Sequence, residues 1–456
     1  MALMPALFLF ILLRRPIWDV DIFWQLKLGE LALANGQWIK QEPFAAHYLD
    51  EAVPSFAWLG QMLLAQLRLW WGWAGLRLFD ASCWLGAMGV VAWACRRRGA
   101  PMAGLLIGLP IAFIVALPYA SIRPQSLALL CFGLLLAVLR LHGPAWRRLG
   151  LAALLLPLWQ NLHPSVAIAV LYLGGLAAAH WLDWLRRPAS VLPWESTMFV
   201  ALAGLALLAT PEGLSIITDA AHNARESRAM GVTEWLPLWW PGNRGIAGLV
   251  LVAVLIAGWL YYRWGRTVDR RAVLAAGVLL CASIAAGRFV PFWAVAMIPV
   301  FAGLAGAGGG PSPSAWSRPM AALLLAMVAF TAGPARFSDQ IPVRQIQALH
   351  AQGVRGVVFA HFPWGGPVID SSFPAVTVAY DGRYYRYTRS EWDRYRRLVK
   401  GEVGPEELER IYRPAAYVLS PAWTPGLIAA LKADPMRWRL ISQDSVAVIF
   451  VRRNPA

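Results

Sequence analysis

"RRRGAPMAGLLIGLPIAFIVALPYASIRPQSLALLCFGLLLAVLRLHGPAWRR" occupies residues 96–148. Two apolar runs, 101–120 and 125–141, are joined by "SIRPQ" and bounded at their outer ends by arginines. Runs of this length suit a bilayer, whose hydrocarbon core takes about 20 residues with allowance for tilt. Arginine clusters outside the pair and a short polar turn within it place the outer ends in the cytoplasm and the turn on the opposite side.

Outward from this pair the pattern repeats. Apolar segments read as spans at 2–17, 74–95, 101–120, 125–141, 149–163, 165–184, 195–210, 246–262, 272–287, 289–307 and 319–334. Only 14% of the 456 residues are charged, against about a quarter in soluble domains, and 58% are hydrophobic. The class is therefore an α-helical polytopic membrane protein of about eleven spans. Residues 1–13 lack the basic start of a signal peptide, and Arg14 and Arg15 stand at the wrong end for one, so they read as a short first span. "SFAWLGQMLLAQLRLWW" (55–71) carries Gln61, Gln66 and Arg68 and suits a helix lying at the interface. Cys83, Cys95, Cys131 and Cys281 all lie in or beside apolar segments and suggest no disulfide framework.

The net charge of +16 raises nucleic acid as a partner, and its distribution removes the need for one. "RRRG" (96–99), Arg140 with "LHGPAWRR" (141–148), "WLRRP" (184–188), "YRWGRTVDRR" (262–271) and "SRP" (317–319) fall on alternate loops. They hold thirteen arginines against one aspartate, so these loops are cytoplasmic. Of the fourteen acids before residue 335, ten map to the other side. So do Arg123, Asn161, His163, Glu212, Glu234 and Arg288. The arginine-rich loops alone assign the face, and the gathering of these residues on it marks a candidate site.

"GGPSPSAWSRP" (308–318) reads as a cytoplasmic turn. Beyond residue 335 the composition changes. "VRGVVFAHF", "AVTVAY", "AAYVLS" and "SVAVIFV" read as short strands. "PVRQIQALHAQG", "RSEWDRYRRLVKG" and "TPGLIAALKAD" read as helices between them. The alternation predicts a small α/β domain with a mainly parallel sheet. The expected organisation is a transmembrane domain over 1–335, with outward loops at 18–73 and 211–244, and an extracytoplasmic α/β domain over 336–456.

"WDVDIFWQLKLGE" near the first span, then "RPQ", "NLH", "EWLP" and "RFVPF", resembles bacterial membrane proteins related to the GT-C glycosyltransferases. The tail "FPWGGPVIDSSFPAVTVAYDGRYYRY" is similar to the soluble end of the same group. The resemblance covers nearly the whole chain. It implies a GT-C-like fold, a polyprenyl-phosphate sugar donor and a bacterial inner-membrane location. In GT-C enzymes such as protein O-mannosyltransferases, oligosaccharyltransferases and the aminoarabinose transferase of lipid A, the first outward loop carries a catalytic acid or acid pair. The resemblance gives that role to Asp19 and Asp21. The chain departs from the pattern at Gln25, where the group has His, at Phe23 in place of Trp, and at Pro164 in place of Gly.

Glycosyl transfer from a lipid phosphate needs a base for the acceptor hydroxyl, positive charge for the leaving phosphate, and an apolar slot. Asp19 or Asp21 at the bilayer edge suits the base. The same pair suits a divalent cation, Mg²⁺ or Mn²⁺, through oxygen ligands. Two acids that cap the helix at 22–34 are the plainer reading. Arg123 and Arg288 suit a phosphate, which guanidinium binds as a fork; pairing with Glu212 or Glu234 to lock helices is their structural alternative. His163 and Glu234 are further candidates for catalysis, His163 equally for a structural hydrogen bond. Trp24, Trp58, Glu212, Asp381 and Arg383 are candidates for sugar or acceptor contact. An aromatic belt accounts equally for the tryptophans, and a loop-locking pair for Asp381 and Arg383. His47, Asp50 and Glu51 read as solvated loop residues. No Gly-rich phosphate loop or nucleophile elbow is present in the sequence.

The function expected is sugar transfer from a polyprenyl-phosphate donor to a glycan, lipid or protein acceptor at the outer face of the membrane, with no nucleic-acid partner. The rival readings are a lipid or glycan transporter and a non-catalytic scaffold with the same fold.

Overall fold

The computed structural model describes residues 3–187, 191–264, 268–304, 317–331 and 333–453. The first half of the chain is helical: α1 (Leu3–Arg14), α2 (Asp21–Asn35), α3 (Trp58–Arg97), α4 (Met102–Ala116), α5 (Pro124–Val138), α6 (Ala145–Leu162), α7 (Ala167–Arg186), α8 (Trp194–Ala206) and α9 (Ser215–Ala229). α10 (Arg244–Trp264), α11 (Arg270–Ala285), α12 (Val290–Leu304) and α13 (Ser317–Phe330) follow. Helices and strands then mix: α14 (Val343–Ala351), β1 (Gly356–Ala360), α15 (Gly365–Ser372), β2 (Val376–Val378), α16 (Arg389–Val399), α17 (Pro405–Tyr412), β3 (Ala416–Leu419), α18 (Pro425–Lys432), β4 (Trp438–Gln443) and β5 (Val448–Arg452).

The chain forms two compact units. One comprises Met1–Arg15 and Trp71–Pro334; the other comprises Pro16–Trp70 and Ala335–Ala456. The first outward loop expected at 18–73 therefore joins the C-terminal α/β residues in one unit. The boundary inside α3 has a local cause. Gly72 takes φ 61 and ψ −165 and breaks the helix where the interface segment (55–71) and the span (74–95) were expected to divide.

Each of the eleven expected apolar segments coincides with a helix or part of one. Among the described residues, five stretches are long and apolar enough to cross a membrane: Trp58–Arg97, Met102–Tyr119, Ala167–Arg186, Pro241–Trp264 and Gly287–Leu304. Leu3–Arg14, Pro124–Val138, Trp194–Ala206 and Pro319–Phe330 are apolar but shorter. α6 carries Arg147, Arg148, Gln160 and Asn161, which dilute its apolar character. The turn expected over 308–318 lies, up to residue 316, outside the described residues. The loop at 211–244 contains a helix not expected from sequence, α9, whose polar composition masked it.

α12 is the centre of the helical unit. Its residues from Val290 to Ile298 are all buried. Phe132 of α5 packs edge-on to Phe292 at 5.7 Å and to Tyr172 of α7 at 5.6 Å, joining three helices in one apolar contact.

In the second unit the sheet order is β2-β1-β3-β5-β4. β1 pairs in parallel with β2 and β3, while β5 is antiparallel to β3 and to β4. The sheet is thus mixed rather than mainly parallel. β4 had no sequence signal because Arg439, Ser442 and Gln443 interrupt its apolar residues at a sheet edge. The core gathers Val358, Val378, Val418 and Ile449 with Trp24 of α2 and Phe44. Phe44 also extends the sheet: the Val378 N–H donates to its carbonyl at 2.8 Å, and the Ala46 N–H donates to the Val378 carbonyl at 2.9 Å.

Candidate functional site

The candidate residues fall into two clusters, one in each unit. In the α/β unit, Asp19 is buried, and its Oδ1 accepts from the Asp21 N–H at 3.0 Å, at the start of α2. The acid thus meets one of the amide donors that open a helix end. Asp21 is half-buried, and its Oδ1 accepts from Trp24 Nε1 at 3.2 Å. Two glycines of the tail fit against this segment. A Cβ on Gly366 would lie 2.7 Å from the Val20 carbonyl oxygen, and one on Gly382 would lie 2.3 Å from Asp21 Oδ1. "WGGP" and "YDG" are glycine-bearing because the acid segment approaches their backbone.

Asp381 and Arg383 are buried together. Arg383 donates to Asp381 at 3.0 and 2.6 Å and to both oxygens of Glu42 at 2.7 and 2.8 Å. Glu42 also accepts from the Phe44 and Ala45 amides. Burial works against charge on Arg383, but the two carboxylates outweigh it and hold the guanidinium firmly protonated. Sequence reasoning missed Glu42, since a partner 341 positions away leaves no local signal. Trp24 is a core residue with the Arg383 guanidinium 5.6 Å from its ring, and Trp58 packs against Trp38 at 5.6 Å. His47, Asp50 and Glu51 are exposed. Gln25 Oε1 is buried with no hydrogen-bond partner among the described residues.

The helical unit holds Arg123, His163, Glu234 and Arg288. Arg123 precedes Pro124, which bars it from the helix and sets it in extended backbone at φ −152, ψ 158. Its side chain donates to Glu234 Oε2 at 3.2 Å. Glu234 lies in a short 3-10 turn, Thr233–Trp235, and Arg288 in another, Gly287–Phe289. Arg288 Nη1 is 4.0 Å from Glu234 Oε1, and its guanidinium stacks 3.7 Å from the Trp235 ring centroid. Burial alone would raise the Glu234 carboxyl, but Arg123 and Arg288 outweigh it and hold it below the usual range. The trio therefore carries two positive charges and one negative.

The turns are braced from outside. Buried Asn243 donates to the carbonyls of Thr233, Leu236 and Pro237 at 3.0, 3.2 and 3.0 Å. The Gly287 N–H donates to the Leu236 carbonyl at 3.1 Å, and a Cβ there would lie 2.4 Å from the Tyr119 hydroxyl. Asn243, Trp235 and Tyr119 escaped the sequence reading; they look like ordinary turn and belt residues.

His163 follows the end of α6 in extended backbone. The turn is fixed by Trp159 Nε1 donating to Ser165 Oγ at 2.9 Å and by Asn161 donating to the Ala209 carbonyl at 2.6 Å. His163 Nδ1 is buried with no hydrogen-bond partner among the described residues. Glu212 lies in the turn before α9, where its carbonyl accepts from Ser215. Among the described residues no group of three or more His, Cys, Asp or Glu side chains is placed to hold a metal ion.

No protein-family model matches the chain, and no curated protein matches it. Solved structures do. The archaeal oligosaccharyltransferase AglB from Archaeoglobus fulgidus, in complex with an inhibitory peptide and a dolichol-phosphate, is similar at TM-score 0.53 and 11% identity, over 96% of this chain and 72% of that one. The Archaeoglobus fulgidus oligosaccharyltransferase tethered to an acceptor peptide with the NVT sequon gives TM-score 0.52 at 11% identity, over 94% and 71%. Its apo form gives 0.50 at 10% over the same shares. The chain thus has the fold of these archaeal oligosaccharyltransferases, with several helices long and apolar enough to cross a membrane.

Proposed function

We propose that the protein transfers a sugar from a polyprenyl-phosphate donor to a glycan, lipid or protein acceptor at the outer face of a bacterial inner membrane. The chain would cross that membrane about eleven times, with the α/β residues outside the cytoplasm. The observation that carries the reading is the pairing of two guanidiniums, Arg123 and Arg288, with Glu234, partly shielded from water, on a fold whose solved examples include one bound to dolichol-phosphate.

In a single inverting displacement the acceptor oxygen bonds to the anomeric carbon as the bond from that carbon to the phosphate oxygen breaks. Asp21 or Asp19 takes the acceptor proton, and the leaving phosphate keeps the electron pair. Arg288 and Arg123 offset the charge that builds on it; this is where a preorganised donor contributes most. His163 is suited to orient the acceptor or donate to phosphate. Glu234 spaces the arginines and is the second carboxylate available to the reaction. A divalent cation held by Asp19, Asp21 and substrate phosphate is the alternative use of the acid pair, since Mg²⁺ commonly takes one or two protein carboxylates. Trp24, Trp58, Glu212, Asp381 and Arg383 remain the candidates for contact with sugar or acceptor. For Asp381 and Arg383, such contact would use whatever their mutual pairing leaves.

One observation favours a second reading, a non-catalytic scaffold: Asp19 is buried against its own helix start. The reading is tested with Asp21→Asn and Arg288→Ala in purified membranes, following radiolabelled sugar from the polyprenyl lipid. Both variants should lose transfer, Arg288→Ala by about 10²–10³-fold. Unchanged transfer in both would leave the scaffold.

A further inference from the structure

A cavity of about 270 Å³ in the helical unit has no part in the proposed transfer. It lies between α1, α3 and α4, walled by Met4, Phe8, Gly89, Trp93 and Met102 among others, and Arg96 is the one charged residue in its lining. It is a half-open groove rather than an enclosed void: Trp93 and Leu106 of its wall are exposed, and its lining is apolar apart from Arg96. Gly89 is exposed in its wall, and a Cβ built there meets no atom within 4 Å, so a larger side chain has room to enter the groove.

The basic end of the cavity has no acidic counterpart. Arg96 is exposed and donates to the Ala100 carbonyl. Arg97 lies 5.5 Å from the Trp93 ring centroid, and Arg98 donates to the carbonyls of Arg140 and Leu141 at 2.6 and 2.9 Å. Carbonyls satisfy donors without cancelling charge. The sequence has no Asp or Glu between Asp80 and Asp183, and among the described residues no carboxylate pairs with Arg96, Arg97 or Arg98. An alkyl-lined slot ending at an uncompensated guanidinium matches an amphiphile with an anionic head.

We propose that this cavity binds one anionic glycerophospholipid, with an acyl chain between α1, α3 and α4 and its phosphate at Arg96. The full-length protein, delipidated and offered an equimolar mixture of phosphatidylglycerol and phosphatidylcholine, is analysed by native mass spectrometry. One tightly retained phosphatidylglycerol is expected. Arg96→Gln should lower the preference over phosphatidylcholine about fivefold, the effect of one guanidinium at an anionic surface. Gly89→Phe, which fills the slot, should abolish retention of both lipids. Equal retention of the two lipids by the wild type overturns the proposal, as does an unchanged preference in Arg96→Gln. If Gly89→Phe fails to fold, as judged by circular dichroism, the Arg96→Gln arm still decides.

Discussion

The acidic and basic clusters are built to different standards. In the α/β unit, Arg383 faces two carboxylates, Asp381 and Glu42; all three are buried, and the guanidinium is bonded to both acids. In the helical unit the ratio is reversed, with Glu234 serving both Arg123 and Arg288 at the looser distances of 3.2 and 4.0 Å. The first cluster has the composition of a lock. The second shares one carboxylate between two guanidiniums and has beside it a buried His163 Nδ1 that no described residue satisfies. A tightly bonded network holds a fold; the looser one is the candidate for receiving an anion.

The comparison breaks most readily at Arg383. Replacing it with Met leaves Glu42 and Asp381 buried without their cation, a loss of about 3–5 kcal/mol. Limited proteolysis and thermal unfolding should show the α/β unit opening. A Tm within a degree of wild type would mean the network is no lock. Gly366→Ala probes how closely the acid segment is held. Its Cβ meets the Val20 carbonyl, backbone that cannot swing aside, and the cost should be about 1–3 kcal/mol in the same unfolding measurement.

The smallest effect sharpens the other side. The pairing of Glu234 lowers its folded pKa, so its contribution is complete above the ordinary Glu value of 4.5 and is lost as pH falls through the lower folded value. The difference in thermal stability between wild type and Glu234→Gln should be constant from pH 5 to 8 and vanish in stronger acid. A difference that instead fades near pH 6 or 7 would contradict the described pairing.

Much of this was legible in the sequence. Apolar length and arginine-rich ends located every helix that coincides with an expected span, and charges set among apolar runs, "SIRPQ" and "AGRFVPF", pointed to Arg123 and Arg288. Proline made the first of these doubly visible, since Pro124 fixes where α5 begins. What stayed hidden depends on distant contacts. Glu42 is an ordinary loop acid until Arg383 reaches it, and Asn243 is an ordinary turn residue until three carbonyls converge on it. The polar α9 and the edge strand β4 lack the periodic apolar signal that sequence reading relies on. Nor did length and charge reveal that the segment carrying Asp19 and Asp21 belongs to the α/β unit, because that membership rests on Trp24 and Phe44 entering its core.

The central claim is that the looser cluster receives a lipid-linked phosphate. Its most direct test is the affinity of the purified full-length protein, in nanodiscs, for polyprenyl monophosphate. Arg288→Ala should weaken binding about 10- to 100-fold, the worth of a charge-assisted hydrogen bond, while Asp21→Asn leaves it within about twofold. Equal affinity of wild type and Arg288→Ala would contradict the account.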